Sequence, residues 1–270
     1  MKTWFITGTS KGFGRMWAEA ALRRGDTVVA TARDIATLAA LEKEFGDRAV
    51  CVQLDVNDKR AVDEAVAQAH QRVGALDVVI NNAGYGLFGM IEEVSEAEAR
   101  AQMETNFFGA LWVTKAVVPI MRAQKKGHIL QVSSVGGVNA WPGIGLYNAS
   151  KWALEGFSQA LAAEVRDFGI RVTLIEPTGY PTDWAGASGV HSTPLPEYAA
   201  AREFMARIRK GRAQSKVDAT AAAVLELVDM PDPPLRVFFG DGTIEMIKAE
   251  YKSRLDTWDR FAPLTHRANG

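Results

Sequence analysis

The sequence has few of the features that mark secreted or membrane proteins. Its 270 residues contain one cysteine, Cys51, so no disulfide can form within the chain and nothing indicates an oxidising compartment. No apolar run approaches the roughly 18 residues of a membrane-spanning helix. The first residues, MKTWFITGTSKGFG, do not form a signal-peptide pattern. We therefore expect a soluble, cytoplasmic protein that does not contact a membrane.

Metal-ligand patterns and an excess of one charge are also lacking. The 4 histidines are scattered without ligand spacing and without an accompanying carboxylate cluster, so we expect no metal site. The 31 Lys and Arg residues stand against 32 Asp and Glu residues, for a formal net charge of -1. This balance gives no electrostatic reason to expect nucleic acid as a partner.

Short apolar runs alternate with stretches of helical spacing along the whole chain. Because the runs are apolar throughout, they indicate parallel strands covered by helices on both faces. We predict an α/β, single-domain, doubly wound Rossmann fold over residues 1–270, with a central parallel sheet of about seven strands. The predicted strands are 3–7, 27–32, 50–54, 77–81, 128–132, 171–177 and 235–239, and the predicted helices are 12–24, 34–45, 58–73, 95–124, 147–168, 196–212 and 215–229.

Two features near the C-terminus fall outside this alternation. Residues 178–196 are dense in Gly, Pro, Ser and Thr and follow a strand end, where open α/β sheets bind ligands. We interpret about 178–212 as a substrate lid rather than simple disorder. A stripe of apolar residues predicts an amphipathic helix over about 243–261, which we expect to pack on the core or on a second subunit.

A glycine-rich turn, TGTSKGFG, follows the first predicted strand and opens a helix. Gly8, Gly12 and Gly14 would let the backbone turn sharply and approach a pyrophosphate, while the helix offers free N–H groups to the anion. The spacing differs from GxGxxG, and a purely structural turn is the alternative. Its position in a βαβ unit favours dinucleotide binding.

The end of the second strand bears on the choice of cofactor. An acidic residue there favours NAD, whereas a nearby arginine accommodates the 2′-phosphate of NADP. Here Ala32 is followed by Arg33, and Lys11 adds a second cation near the same ribose. We therefore predict NADP(H). Asp34 would favour NAD if it faced the ribose instead of Ala32, and two ordinary surface cations are the remaining alternative.

The segment YNASK places Tyr147 four residues before Lys151. On a helix the two side chains share one face. A phenol titrates near pKa ~10, and a neighbouring ammonium is expected to lower that pKa towards the range useful for proton transfer. An isolated YxxxK is more often an ordinary helix start, so the rest of the chain must support this interpretation.

Together these motifs resemble the short-chain dehydrogenase/reductase family, in its branch with a TGxxxGxG turn and a YxxxK pair. The resemblance covers nearly the whole chain. The further matching segments are LDV (54–56), NNAG (81–84), METNFFG around Asn106, and SS (133–134). It implies an enzyme that transfers a hydride between a nicotinamide and a carbonyl or alcohol.

The resemblance also implies site residues. Tyr147 would be the general acid in reduction and the base in oxidation, and Ser134 would hydrogen-bond the substrate oxygen. Lys151 would lower the pKa of Tyr147 and hold the nicotinamide ribose, while Asn106 would support a proton relay through water. The implied cofactor-binding residues are Gly8, Ser10, Lys11, Gly12, Phe13, Gly14, Arg33, Asp55, Val56, Asn82, Gly84, Tyr147, Lys151, Pro177 and Thr182.

One segment departs from the family pattern. EPTGYPT has Thr178 where the family usually has a glycine after Pro177. Since a β-branched residue tolerates fewer backbone conformations, the chain beside the nicotinamide is expected to follow a different path.

Mainly apolar residues are expected to face the substrate. They are Val135, Val138, Trp141, Pro142, Tyr180, Trp184, Val190 and Leu195, with His191 and Asp183 as the polar members. Such a site suits a small hydrophobic carbonyl or alcohol. The alternatives are a non-catalytic NADP(H)-binding redox sensor, against which the full catalytic set argues, and an epimerase or dehydratase. The resemblance further implies a homodimer or homotetramer that pairs through helices 106–124 and 147–168.

Overall fold

The computed structural model describes residues 1–180, 184, 186, 188–210, 216–240 and 242–269. Seven parallel strands form one sheet in the order β3-β2-β1-β4-β6-β7-β9. They are β1 (Thr3–Ile6), β2 (Thr27–Ala32), β3 (Ala49–Gln53), β4 (Val78–Asn81), β6 (Gly127–Val132), β7 (Ile170–Pro177) and β9 (Arg236–Phe239). The predicted doubly wound Rossmann fold is confirmed.

Helices connect these strands and cover both faces of the sheet. In the described residues they are α1 (Gly12–Arg23), α2 (Ala39–Phe45), α3 (Lys59–Val73), α4 (Glu96–Met103), α5 (Gly109–Gln124), α6 (Gly145–Val165), α7 (Ala199–Lys210), α8 (Ala219–Asp229) and α9 (Ile244–Arg267). A pair of two-residue strands, β5 (Leu87–Phe88) and β8 (Val190–His191), forms a small second sheet that the sequence analysis does not predict.

Successive residues of the central strands enter different cores, which explains why these strands are apolar throughout. Trp4 and Ile6 pack with Trp17 on one face, and Phe5 packs with Val29 on the other. Period-2 alternation of side chains means that a strand covered on both faces needs apolar residues at every position.

The order of the strands places the functional site. From β1 the chain winds outward to β2 and β3, then crosses back to β4 on the opposite side of β1. The connections after β1 and β4 therefore diverge, and a crevice opens at the carboxyl ends of these two strands.

The helix predicted over 95–124 is present, but it contains a π-helical turn that the sequence analysis does not predict. A π-helical turn, Glu104–Phe108, separates α4 from α5. Within it, the Asn106 side chain accepts a hydrogen bond from Tyr85 N (3.0 Å) and donates one to Tyr85 O (3.0 Å). The Asn106 side chain thus bonds both the N–H and the C=O of Tyr85, in the loop after β4. Helical periodicity cannot predict a tertiary contact of this kind.

Within the described ranges no helix is long and apolar enough to cross a membrane. The same residues contain no group of three or more His, Cys, Asp or Glu side chains arranged to hold a metal ion.

Candidate active site

A cavity of about 910 Å³ lies at the carboxyl ends of the strands. Most of the predicted site residues line it, which brings together segments from along the whole sheet. These residues are Gly8, Ser10, Lys11, Gly12, Phe13, Arg33, Asp55, Val56, Asn82, Gly84, Ser134, Tyr147, Lys151 and Pro177. Gly14 and Asn106 are not in the lining, and Thr182 lies outside the described residues.

The glycine turn forms one end of this cavity. Gly8 has a φ of +71°, and a Cβ on Gly14 would lie 2.4 Å from the Gly8 carbonyl oxygen, so Gly14 supports the turn from behind. The Asn82 amide donates to Thr7 O (2.9 Å) and Gly8 O (3.0 Å), which joins the turn to the loop after β4. No side-chain capping bond closes the start of α1. This cradle fits a dinucleotide pyrophosphate.

Ala32 and Arg33, at the end of β2, line the cavity, and so does Lys11 of the glycine turn. Asp34 is not in the lining. Its carboxylate accepts a hydrogen bond from Ala36 N (3.0 Å) and caps a short 3-10 helix. The cavity therefore presents two cations and no acid from this strand end.

Tyr147 and Lys151 lie one turn apart near the start of α6, and both are buried. The Lys151 ammonium donates to Val132 O (2.8 Å) and lies 5.8 Å from the centroid of the Tyr147 ring. The Ser134 hydroxyl accepts from Gly136 N (3.0 Å) and hydrogen-bonds the Tyr147 phenol. Ser134 thus contacts the phenol of Tyr147 directly, while the Lys151 ammonium lies beside the ring.

The pKa values of this pair differ from the expectation. Burial raises the pKa of Tyr147 to about 12, although the hydrogen bond from Ser134 opposes the rise. Burial also lowers the pKa of Lys151 to about 8, against the opposing charge of Glu155. In the chain alone, therefore, the predicted lowering of the Tyr147 pKa is not found, because burial of the phenol outweighs the opposing hydrogen bond of Ser134.

Asn106 lies behind the cavity rather than in its wall. Its amide donates to Ser150 Oγ (3.1 Å), and that hydroxyl donates to Tyr147 O (2.7 Å). A Cβ on Gly84 would lie 3.0 Å from Asn106 Oδ1 and 3.7 Å from Lys151 Nζ, so only Gly84 separates the two side chains. Asn106 therefore braces the backbone that carries Tyr147.

Aromatic rings cover the Tyr147 ring on one side. Between ring centroids, Trp184 lies 4.8 Å from Tyr147 and 5.0 Å from Phe88. The His191 ring stacks on Phe88 at 4.8 Å. A Cβ on Gly86 would come within 2.7 Å of Trp184, so this glycine makes room for the indole. The sequence analysis misses Phe88, although it follows NNAG by only four residues.

The other residues predicted to face the substrate divide into three groups. Val135, Trp141, Tyr180, Trp184 and Val190 line the main cavity, whereas Pro142 and His191 line a neighbouring cavity of about 370 Å³. Val138 is buried and Leu195 lies elsewhere, so neither lines either cavity. Asp183 lies outside the described residues.

The short chain dehydrogenase profile matches residues 2–191, more than half of the chain. The chain belongs to the short-chain dehydrogenase family. As a member of this family it is an oxidoreductase that acts on a CH–OH group or the corresponding C=O. The predicted resemblance is confirmed.

Similar proteins extend the family match over nearly the whole chain. Oxidoreductase BOA17 of Botryotinia fuckeliana is 45% identical over 90% of each chain. The 3-ketodihydrosphingosine reductase of Bacteroides thetaiotaomicron is 35% identical over 93% of this chain and 91% of its own. A Streptomyces avermitilis short-chain dehydrogenase structure has 33% identity and a TM-score of 0.92, covering 99% of this chain and 100% of its own.

One further solved relative carries a cofactor derivative. The alcohol dehydrogenase of Thermococcus sibiricus, complexed with 5-hydroxy-NADP, is 27% identical, with a TM-score of 0.74 over 88% of this chain and 96% of its own.

Two buried carboxyl groups and one exposed arginine form an ionic cluster that joins α6, β7 and β9 of this short-chain dehydrogenase, and the sequence analysis misses it. Arg236 Nε lies 2.8 Å from a Glu155 oxygen and 3.7 Å from a Glu176 oxygen. Burial and the neighbouring Glu155 charge raise the pKa of Glu176 to about 8, although Arg236 opposes the rise. Glu155 follows Lys151 by one helical turn, and this spacing is the sequence signal that could have placed a carboxylate on the same face of the helix as Lys151.

Proposed function

We propose that this short-chain dehydrogenase uses NADP(H) to transfer a hydride between the nicotinamide and a small hydrophobic carbonyl or alcohol. One observation carries the proposal: Ser134, Tyr147 and Lys151 share a cavity with the glycine turn at its other end. A substrate oxygen beside Tyr147 would then lie in the same enclosure as the cofactor.

The preference for NADP(H) is supported by the charges at the end of β2. Arg33 and Lys11 can both approach a 2′-phosphate, and a charge-assisted contact of that kind is strong. Asp34 would compete for NAD only by giving up its capping bond to Ala36 N. The Thermococcus relative complexed with 5-hydroxy-NADP is in keeping with this assignment.

In reduction, bound NADPH would supply the hydride to the carbonyl carbon. Negative charge then develops on the carbonyl oxygen, where a donor and a proton are needed. The Ser134 hydroxyl would donate a hydrogen bond, and the Tyr147 phenol would donate the proton. A pKa of about 12 keeps that phenol protonated at neutral pH, as the acid in a reduction must be. Lys151, beside Gly84 and Val132 O, would hold the nicotinamide ribose.

The substrate assignment is supported by the wall opposite the cofactor turn. Trp141, Trp184 and Val190 give it an apolar and largely aromatic character. Such a wall suits a ketone or aldehyde with an apolar body, and one relative is named as a reductase of a ketone, 3-ketodihydrosphingosine.

We also propose a homodimer or homotetramer that pairs through α5 and α6, as the family resemblance implies. On the outer side of α6, Gly156 is exposed and Trp152 is 38% exposed, with the Arg254 guanidinium of α9 5.0 Å from the Trp152 ring.

The test is oxidation of NADPH and of NADH across a panel of apolar ketones and aldehydes. Tyr147→Phe should lower kcat by at least about 100-fold while leaving the Kd for NADPH nearly unchanged. Tyr251→Phe, which removes the same hydroxyl from an exposed ring on α9, is the matched control and should retain full turnover.

Two outcomes would contradict the proposal. Tight NADPH binding without turnover on any compound would favour the non-catalytic redox sensor. Equal turnover by wild type and Tyr147→Phe would show that the Tyr147 hydroxyl takes no part in the reaction.

A further inference from the structure

The second cavity, of about 370 Å³, shares a lining residue with the main cavity. Met205 of α7 lines both, so the two cavities meet at this residue. Methionine is unbranched and has three rotatable bonds, so its side chain adapts easily to what lies beside it. The volume of the second cavity lies by itself in the range of small-molecule sites. It is therefore large enough to hold part of a substrate.

Neighbouring residues line the two cavities at two further places. In β8, Val190 lines the main cavity and His191 lines the second, as expected where successive side chains of a strand point to opposite sides. Trp141 and Pro142 divide between the cavities in the same way. The second cavity is thus a side chamber of the substrate site and not a pocket on a separate face of the protein.

The second cavity also lies close to the phenol of Tyr147. Phe88 lines this cavity and contacts Trp184 at 5.0 Å between ring centroids. Trp184 in turn lies 4.8 Å from the Tyr147 ring. Two ring contacts therefore connect the second cavity to Tyr147. A chain that starts at a carbonyl carbon beside Tyr147 and follows the Trp184 ring would reach Phe88 and, with it, the second cavity.

The walls of the second cavity are mainly apolar. The apolar residues that line it are Phe88, Met90, Pro142, Pro194, Met205 and Ala206. Each methylene group that leaves water against such walls should tighten binding by about 3- to 4-fold. The cavity therefore favours a hydrocarbon chain.

Two charged residues in the lining, Glu93 and Arg202, are paired with each other. The side chain of Glu93 is 2% exposed, and its carboxylate accepts a hydrogen bond from the Arg202 guanidinium. The same carboxylate accepts from Met90 N (2.7 Å) and Leu195 N (2.8 Å). A ligand with a charged end would have to compete with this network, and removing one partner of a buried ion pair is unfavourable. The cavity therefore suits an uncharged chain.

We propose that the second cavity is a tail subsite, which holds the far end of a straight, uncharged apolar chain whose reacting carbon lies at Tyr147. The inference rests on the proposed function for the position of that carbon. It narrows the substrate class from hydrophobic carbonyls and alcohols in general to elongated, straight-chain ones. The chain would pass Met205, where the two cavities meet.

The test is the binding of straight-chain alcohols, from butanol to dodecanol, to the protein saturated with NADPH, measured by isothermal titration calorimetry. In wild type the Kd should fall by about 3- to 4-fold for each added methylene, up to the longest alcohols. Ala206→Phe adds a ring at a residue that lines only the second cavity. It should weaken dodecanol binding by at least about 30-fold and leave butanol binding nearly unchanged.

Two further variants keep this test decisive. Met90→Trp enlarges a buried lining residue, whose side chain cannot turn into solvent, and should have the same selective effect as Ala206→Phe. Ala201→Phe is the matched control, because it adds the same ring to an exposed position of α7 that lines neither cavity. It should bind every alcohol as wild type does. NADPH binding by each variant checks that it is folded.

Turnover of the corresponding aldehydes with NADPH separates this inference from the proposed function. If no aldehyde is reduced but Ala206→Phe still loses dodecanol, the tail subsite stands and the proposed function fails. Three results would overturn the inference: a wild-type Kd that does not depend on chain length, full dodecanol binding by both Ala206→Phe and Met90→Trp, or equal weakening by Ala201→Phe. Tighter binding of a hydroxy acid as long as dodecanol, with a carboxylate at its far end, would also overturn it and assign the cavity to an anionic group.

Discussion

Glu176 offers a direct test of how burial controls charge in this protein. It lies near the end of β7 and is 1% exposed, with Glu155 nearby and the Arg236 guanidinium 3.7 Å away. Burial, followed by the negative charge of Glu155, raises its pKa to about 8. The carboxyl group is therefore protonated in the folded protein at neutral pH. In the unfolded chain it would ionise near pKa ~4.3.

The consequence for stability follows from proton linkage. Between about pH 4.3 and pH 8 the folded protein holds a proton that the unfolded chain has released, so the free energy of unfolding falls as pH rises. Each pKa unit is worth about 1.4 kcal/mol, which sets an upper limit of about 5 kcal/mol at pH 8. Glu176→Gln cannot ionise, and we expect it to be about 2–4 kcal/mol more stable than wild type at pH 8 and equal to it near pH 4.

The measurement is urea unfolding of both proteins at several pH values from about 4.5 to 8, followed by tryptophan fluorescence. Glu64→Gln is the matched control, because this exposed helical residue lies 3.5 Å from an equally exposed partner, Arg60. Its effect should stay within about 0.5 kcal/mol at every pH. The reasoning is refuted if Glu176→Gln is less stable than wild type at pH 8, or if the difference between them does not change with pH.

Three further predictions concern the cofactor end of the cavity. Arg33→Ala should raise the KM for NADPH by about 10- to 100-fold and leave the KM for NADH nearly unchanged. Equal effects on the two KM values would show that Arg33 does not bind the 2′-phosphate. Gly14→Ala, whose Cβ would lie 2.4 Å from Gly8 O, should cost about 2 kcal/mol or more of stability and weaken NADPH binding. The affinity for NADPH, measured by fluorescence titration, should fall as pH rises through about 8, because burial lowers the pKa of Lys151 to that value and the ammonium is lost. Lys151→Met should bind NADPH weakly at every pH. A wild-type affinity that does not change with pH would contradict a role of the Lys151 ammonium in binding the cofactor.

Local patterns in the sequence were sufficient to predict the order of strands and helices along the chain. The seven apolar runs correspond to the seven strands of the central sheet because a strand covered on both faces needs apolar residues at every position. The family resemblance also implied that the glycine turn and the Tyr147–Lys151 pair serve one site, and residues of both line one cavity.

The tertiary structure decided the properties that depend on neighbours distant in the chain. Tyr147 and Lys151 are correctly paired by their spacing, but the direction of the Tyr147 pKa shift depends on how completely other elements remove water from it. The π-helical turn at Asn106 forms around contacts to Tyr85, and Glu176 meets Arg236 only where β7 pairs with β9. Periodicity determines which face of an element is apolar, whereas desolvation and charge pairing depend on which segments the fold packs together.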